Sequence, residues 1–260
     1  MGLPLSPLNE AIHKQTAKEM IRDKIVALIA SGILQVGDEL PSERELAYML
    51  LVSRETVRGA VQRLAGEGVV LVSQGSRTRI AKVDVSVGQQ RIGVTNPTAI
   101  NGYSLAAVHE ARLLVETAVV ADAAMRLGSS DIRRLEDSLG TQRLAIDDPV
   151  RFLIVDREFH LSIYYAAGNR LLADFVVDLY TYMLDHRRLA MGKPGAIARS
   201  LDDHTEIVDA LKRRDAASVS AAFAHHIMRI RDTSLDLESD GPKTPVDRRS
   251  VWAAAKGRKE

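Results

Sequence analysis

Four side chains in the second half of the chain have the chemistry to hold a metal ion. His160 lies four residues after Asp156, so a helix puts both on one face. Phe152, Ile163 and Ala167 continue that face, which therefore turns inward. His204 shares an apolar stripe with Leu201, Val208 and Leu211, and His226 shares one with Ala222, Phe223 and Ile230. The turn expected at Asp215 falls eleven residues after His204 (215 − 204) and eleven before His226 (226 − 215). At ~1.5 Å rise per residue both histidines sit ~16 Å from that turn, so an antiparallel hairpin brings them level. One carboxylate and three imidazoles facing a bundle core suit a divalent ion, Zn²⁺ first and Ni²⁺ or Mn²⁺ next, with positions left for water or ligand oxygens. A lone inward histidine is more often a hydrogen-bonded core residue; the metal reading rests on the set of four. His225 falls off the stripe and is expected at the surface, while His13, His109 and His186 show no partner pattern and are expected to be structural or exposed.

Arg112 is the second chemical signal. It interrupts a stripe of Leu105, Val108, Val115 and Val119, where a cation is costly unless something compensates. A bidentate carboxylate ligand would do so. An i,i+4 pair with Glu116 is the alternative.

A third signal lies near the N-terminus. Between Pro41 and Lys82 there are seven Arg or Lys against four Glu, in a chain whose net charge is only +1. Arg54 and Arg58 fall in the first turns of a predicted helix, where a cation opposes the macrodipole at a cost of ~0.3–1 kcal/mol each. A helix that pushes its N-terminus into a DNA major groove has a use for them, on guanine edges and phosphates.

The elements that must position these groups are legible. Apolar residues from Thr16 to Ser31 recur at helical spacing, and a second helix starts at the capping box Ser42-Glu43-Arg44-Glu45 and ends near Leu50. A third follows Ser53 as N-cap and stops at Gly66 and Gly68. Val69 to Val72 reads as a strand, Ser73 to Ser76 as a turn and Arg77 to Val83 as a return strand, giving a winged helix-turn-helix. Beyond it, Tyr103 to Leu237 reads as helix, with breaks near Gly128, Asp147-Asp148-Pro149, Gly168-Asn169, Gly192 to Gly195 and Asp215. The predicted fold is therefore mostly α: residues 1–15 a flexible arm, 16–83 the winged helix-turn-helix, 84–102 a linker, 103–238 an antiparallel all-α bundle of six or seven helices, and 239–260 a disordered, basic tail.

The composition, 46% hydrophobic and 27% charged, is that of a soluble globular protein. With no cysteine, disulfides and thiolate metal sites are excluded, which fits a reducing cytoplasm. No leader pattern and no apolar run of the ~18 residues needed for a membrane span is visible, so a cytoplasmic location and no membrane partner are expected. A metal-dependent enzyme on the helical bundle is the rival reading. No nucleophile motif and no clear general base accompany the proposed ligands, so no enzyme is expected.

The run Leu40-Pro41-Ser42-Glu43-Arg44-Glu45-Leu46-Ala47, then Val52-Ser53-Arg54-Glu55-Thr56-Val57-Arg58, then Leu64 through Gly68 and Gly75, resembles the DNA-binding domain of GntR-family bacterial regulators. The resemblance implies that Arg44, Arg54 and Arg58 contact operator DNA, that Thr56 and Gly75 assist, and that the wing tip enters the minor groove. Leu51 departs from the family's usual glycine in the turn, and Arg77 stands where a second wing glycine is common. Arg77 is either a further DNA contact or an exposed turn cation.

Glu110-Ala111-Arg112 with Glu116, Asp156…Phe159-His160 with Gly168-Asn169, and His204…His226 resemble the FadR-like branch, whose effector domains are helical FCD bundles. That resemblance implies Asp156, His160, His204 and His226 as metal ligands, a small carboxylate or sugar-acid effector beside them, and a homodimer. It implies transcription regulation, most often repression relieved by the effector.

Overall fold

The computed structural model describes residues 16–72, 77–81, 103–182 and 184–240. The N-terminal arm, Gly75 in the wing turn, the segment read as a linker and residues 241–260 of the tail lie outside them. Ten helices and one two-stranded sheet are present among the described residues.

Helix α1 (Ala17–Ala30) starts at a capping box in which Thr16 and Glu19 each satisfy the other's backbone N–H. Helix α2 (Glu43–Met49) repeats the device with Ser42 and Glu45, and α3 (Arg54–Gly66) is capped by Ser53 alone. The expected starts are thus in place. α1 and α2 both pack on α3 through buried Ile25, Leu28, Leu46, Val57, Ala60 and Leu64.

The α2–α3 turn passes through Leu51 at φ +52°, the left-handed region that a side chain resists. The turn therefore keeps the backbone that glycine would adopt, and the leucine side chain projects outward, 69% exposed. Strands β1 (Val70–Leu71) and β2 (Arg79–Ile80) pair antiparallel, Val70 with Ile80 and Leu71 with Arg79, and are shorter than the sequence pattern suggests. Residues 37–40 run along the other edge of β2: Leu40 N–H donates to Thr78 C=O and Ile80 N–H to Asp38 C=O. That places Asp38 directly beside the wing.

Seven helices follow: α4 (Leu105–Arg126), α5 (Ser129–Leu144), α6 (Pro149–Tyr164), α7 (Arg170–Tyr182), α8 (Leu184–Met191), α9 (Ala196–Lys212) and α10 (Ala216–Asp240). α4 packs along α10, α9 lies between α10 and α5, and α6 touches α4, α5, α7 and α8. α6 is therefore the central helix, and nearly all of its inner face is buried. Between Gly168-Asn169 and Gly192, read above as one helix, α7 and α8 flank Met183, which lies outside the described residues. Asn169 caps α7 through Leu172 N–H, and Asp215 receives the first N–H groups of α10.

Candidate functional sites

The interior of the bundle carries a polar cluster centred on α6. Asp156, His160, His204 and His226 are all fully buried. The imidazoles of His160, His204 and His226 each present a ring nitrogen, and these atoms lie within 4.8 Å of one another. The expected levelling of His204 with His226 is realised, with ring centroids 4.8 Å apart. Oδ1 of Asp156 lies 3.6 Å from His160 Nε2 and 3.4 Å from His204 Nε2. Donors that share one ion at ~2.0–2.2 Å stand roughly 3.0–3.5 Å apart. Asp156 lies at or just beyond that spacing from two of the rings, and the group gathered closely enough to hold an ion is that of the three histidines.

Each imidazole is held from behind. His204 Nδ1 meets Gln142 Oε1 at 2.7 Å, His226 Nδ1 meets Asp203 Oδ2 at 3.2 Å, and His160 Nδ1 meets the Tyr164 hydroxyl at 3.3 Å. The Tyr164 hydroxyl in turn donates to Glu116 Oε2 at 2.6 Å, so it accepts from His160. Three Nδ1–H groups are thereby fixed and three Nε2 lone pairs are left facing inward. Those Nε2 atoms and Asp156 Oδ1 have no hydrogen-bond partner. The donor set fits a divalent cation.

Protonation agrees with this use. Burial holds the imidazoles of His160, His204 and His226 below their ordinary pKa, so they stay neutral and keep their lone pairs. Burial pushes the Asp156 carboxyl upward, but the Arg187 guanidinium overcomes it and holds the group well below the usual carboxylate range. Burial raises the Tyr164 and Tyr180 phenols well above theirs, and both remain hydroxyl donors.

Two guanidiniums border the cluster. Arg112 Nε donates to Glu116 Oε1 at 2.5 Å, with both side chains fully buried, while its NH1 has no partner. Arg187 NH2 donates to Asp156 Oδ2 at 2.7 Å, the oxygen that also receives the Tyr180 hydroxyl at 2.5 Å. Nε and NH1 of Arg187 are unpartnered, and its guanidinium lies 4.7 Å above the Tyr180 ring. A crevice between α8, α9 and α10, lined by Ser200, Asp203, Arg199 and Arg229, reaches His226 from the surface.

Sequence reasoning missed Gln142, Tyr164, Tyr180, Arg187 and Asp203. Only Tyr164 carried a usable signal, since it lies four residues after His160 on the same stripe. His225 is 52% exposed, as its place off the stripe implied. His109 is buried, and the His13 and His186 side chains lie outside the described residues.

At the other end of the molecule the α3 arginines face solvent. Arg54 and Arg58 are 63% and 44% exposed, and both reach Glu43 Oε2 at 3.4 Å. Such long, exposed pairs contribute little, ~0–1 kcal/mol, and are easily exchanged for another anion. Arg44 is exposed on α2, Thr56 is half-buried beside Ser53, and Arg77 is exposed with NH1 on Glu39 at 3.1 Å. No helix among the described residues is long and apolar enough to cross a membrane.

Comparison with known proteins agrees with both halves of the chain. Residues 17–80 match the profile of bacterial regulatory proteins, gntR family, and residues 107–229 match the FCD domain. The uncharacterized HTH-type transcriptional regulator YcbG of Bacillus subtilis is 27% identical over 227 residues, covering 87% of this chain and 93% of that protein. The HTH-type transcriptional repressor NanR of Cronobacter sakazakii is 27% identical over 220 residues, covering 83% and 84%. The solved structure of E. coli McbR/YncC shares the fold, with a TM-score of 0.51 at 19% identity over 85% of this chain and 98% of that one. These domains and relatives are transcription regulators rather than enzymes. With a gntR-type helix-turn-helix domain followed by an FCD domain, the chain belongs to the GntR family of bacterial regulatory proteins.

Proposed function

We propose that the chain is a homodimeric repressor that binds operator DNA through its winged helix and is released by a small carboxylate or sugar acid bound beside a divalent metal. In this reading residues 16–83 form the DNA-binding domain, 84–102 the linker and 103–238 the sensing and dimerisation domain. The observation that carries the sensing half is the convergence of unpaired buried groups. Three imidazoles gather with an Asp156 oxygen beside two of them, and free N–H groups of Arg112 and Arg187 border the cluster. Asp156, His160, His204 and His226 would hold the ion, Zn²⁺ by preference for such a set, with Ni²⁺ and Mn²⁺ as the other candidates. A bound divalent ion supplies a Lewis-acidic anchor for a ligand oxygen. Arg112 then takes the ligand's carboxylate through its free NH1.

Arg44, Arg54, Thr56 and Arg58 face the DNA in this reading, with Gly75 and Arg77 at the wing. The repressor sign follows the relatives named NanR. A second copy would cover an apolar surface on two adjacent helices, where Leu114 and Met125 of α4 are 75% and 60% exposed and Leu171 and Phe175 of α7 also face solvent.

The test joins DNA binding to ligand response. DNA fragments selected in vitro by the purified protein are titrated by gel shift, with zinc-loaded protein and a panel of small organic and sugar acids. At least one acid is expected to raise the melting temperature and weaken DNA binding together. Arg54→Ala or Arg58→Ala is expected to weaken specific binding by ~1–3 kcal/mol with the fold intact. Unchanged affinity in both variants would remove α3 as the reading helix.

A further inference from the structure

The two helices that build the Asp156 end of the site also grip the DNA-binding unit. On α6, Asp156 and His160 face the cluster, while Arg151 pairs with Glu45 of α2 at 2.8 Å and Glu158 pairs with Lys24 of α1. On α8 the two roles fall on consecutive residues. Arg187 points inward to Asp156. Arg188 points the other way and holds the segment before the wing: its NH1 donates to Ile33 C=O at 2.5 Å and to Asp38 Oδ2 at 2.7 Å, and its NH2 donates to Asp38 Oδ1 at 3.0 Å. This is a two-pronged guanidinium–carboxylate pair, only 22% and 21% exposed.

Asp38 belongs to the turn whose backbone runs along β2, since Gly37 N–H donates to Ile80 C=O and Ile80 N–H to Asp38 C=O. The next residue, Glu39, accepts from both wing arginines, Arg77 and Arg79. A continuous set of contacts thus runs from Asp156 through α8 to the base of the wing.

We propose that α8 is the link by which the site controls the winged helix, with Arg187 sensing occupancy and the Arg188–Asp38 pair acting as the latch. This rests on the metal and effector reading above and adds the route by which it acts. Asp156 gives Oδ2 to Arg187 and keeps Oδ1 for the imidazole cluster. Once Oδ1 is committed to a divalent cation, two cationic partners share one negative charge and Arg187 is held less strongly. An anion that takes the unpartnered Nε and NH1 of Arg187 pulls in the same direction. Arg187 and Arg188 are consecutive residues, so a shift of Arg187 carries its neighbour with it. Arg188 then loses the fork geometry on Asp38, and the turn beside β2 is freed. α6 stays anchored by Arg151 and Lys24, so the unit is loosened at the wing and kept at α1 and α2.

Hydrogen exchange read by mass spectrometry tests this with Zn²⁺ alone as the probe, metal uptake being measured on the same samples. In the metal-free protein, amides of Gly37, Asp38 and Leu40 are protected by the bonds along this segment. Zinc loading is expected to raise exchange across residues 33–40 several-fold while the interior of α3 is unchanged. Arg188→Ala should take up zinc as the wild type does, show raised exchange at 33–40 already without metal, and lose the zinc response. Asp38→Asn should do the same from the other side of the latch. Zinc uptake with no change at 33–40, or a full zinc response in both variants, overturns the link and leaves the metal site standing. Failure of the wild type to take up zinc overturns both.

Discussion

Gln142 gives the sharpest test of the metal centre, because it touches the proposed ligands without being one. Its Oε1 accepts from His204 Nδ1 at 2.7 Å in a fully buried contact, and this fixes the tautomer that turns the Nε2 lone pair to the cluster. Gln142→Leu keeps the volume and removes the acceptor. Loss of such an outer partner typically lowers metal affinity 10–100-fold, or about 1.4–2.7 kcal/mol. Here the ring plane is also held by stacking, at 4.6 Å between centroids on Phe159 and 6.3 Å on Phe152. The ring cannot swing away, so the loss comes from tautomer and basicity alone and should fall near the 10-fold end. Stability of the metal-free protein should change little. The variant orphans one N–H, at a cost of ~1–3 kcal/mol, but it also deletes the Gln142 amide nitrogen, which is itself buried without a partner. Competition against a chromogenic chelator measures zinc affinity, and urea denaturation in EDTA measures the fold. Zinc affinity within twofold of wild type would refute the assignment of His204 as a ligand oriented by Gln142.

Two further outcomes are expected. Burial depresses the pKa of His160, His204 and His226 in the folded state, so the unfolded chain binds protons that the folded one refuses. Stability of the metal-free protein should be full above pH ~6.5 and fall as the pH drops from there toward the folded-state values, by up to ~1.4 kcal/mol per pH unit for each ring; a flat denaturation profile between pH 6.5 and 5 would contradict neutral buried rings. Leu51→Gly relieves a left-handed leucine whose strain is ~1–2 kcal/mol against a glycine entropy cost of ~0.5–1, so it should stabilise the winged helix by several tenths of a kcal/mol up to about 1. Equal or lower stability in urea would show that the exposed leucine side chain contributes packing.

What the sequence makes legible follows from where the information is local. The capping box at Ser42 and the cap at Ser53 are interactions over three residues, and both mark real helix starts. The metal candidates were legible because helical periodicity places Asp156 with His160, and a turn placed halfway between His204 and His226 brings those two level. Gln142, Arg187 and Asp203 were not legible, because what they do is set by helices that meet across the bundle. The contact of Gln142 with His204 spans 62 residues and that of Arg187 with Asp156 spans 31.

Arg112 shows why two alternatives drawn from a sequence need not exclude each other. A guanidinium has five N–H donors, and a carboxylate pair uses only some of them. Glu116 takes Nε at 2.5 Å and approaches NH2 at 3.4 Å, while NH1 is left unpaired in the core. The i,i+4 pair is therefore what makes a buried arginine tolerable, and the free edge is what it can offer a ligand. Charge in the surrounding core points the same way. Arg112, Arg187 and Arg229 are balanced by Glu116, Asp156 and Asp203, and the three imidazoles are neutral. A divalent cation added alone would leave an uncompensated charge in a low-dielectric interior, which is costly. An anionic ligand that arrives on the free guanidinium edges restores the balance. Cation and carboxylate should therefore bind more tightly together than apart, and a sensor built this way answers to the acid only when its metal is in place.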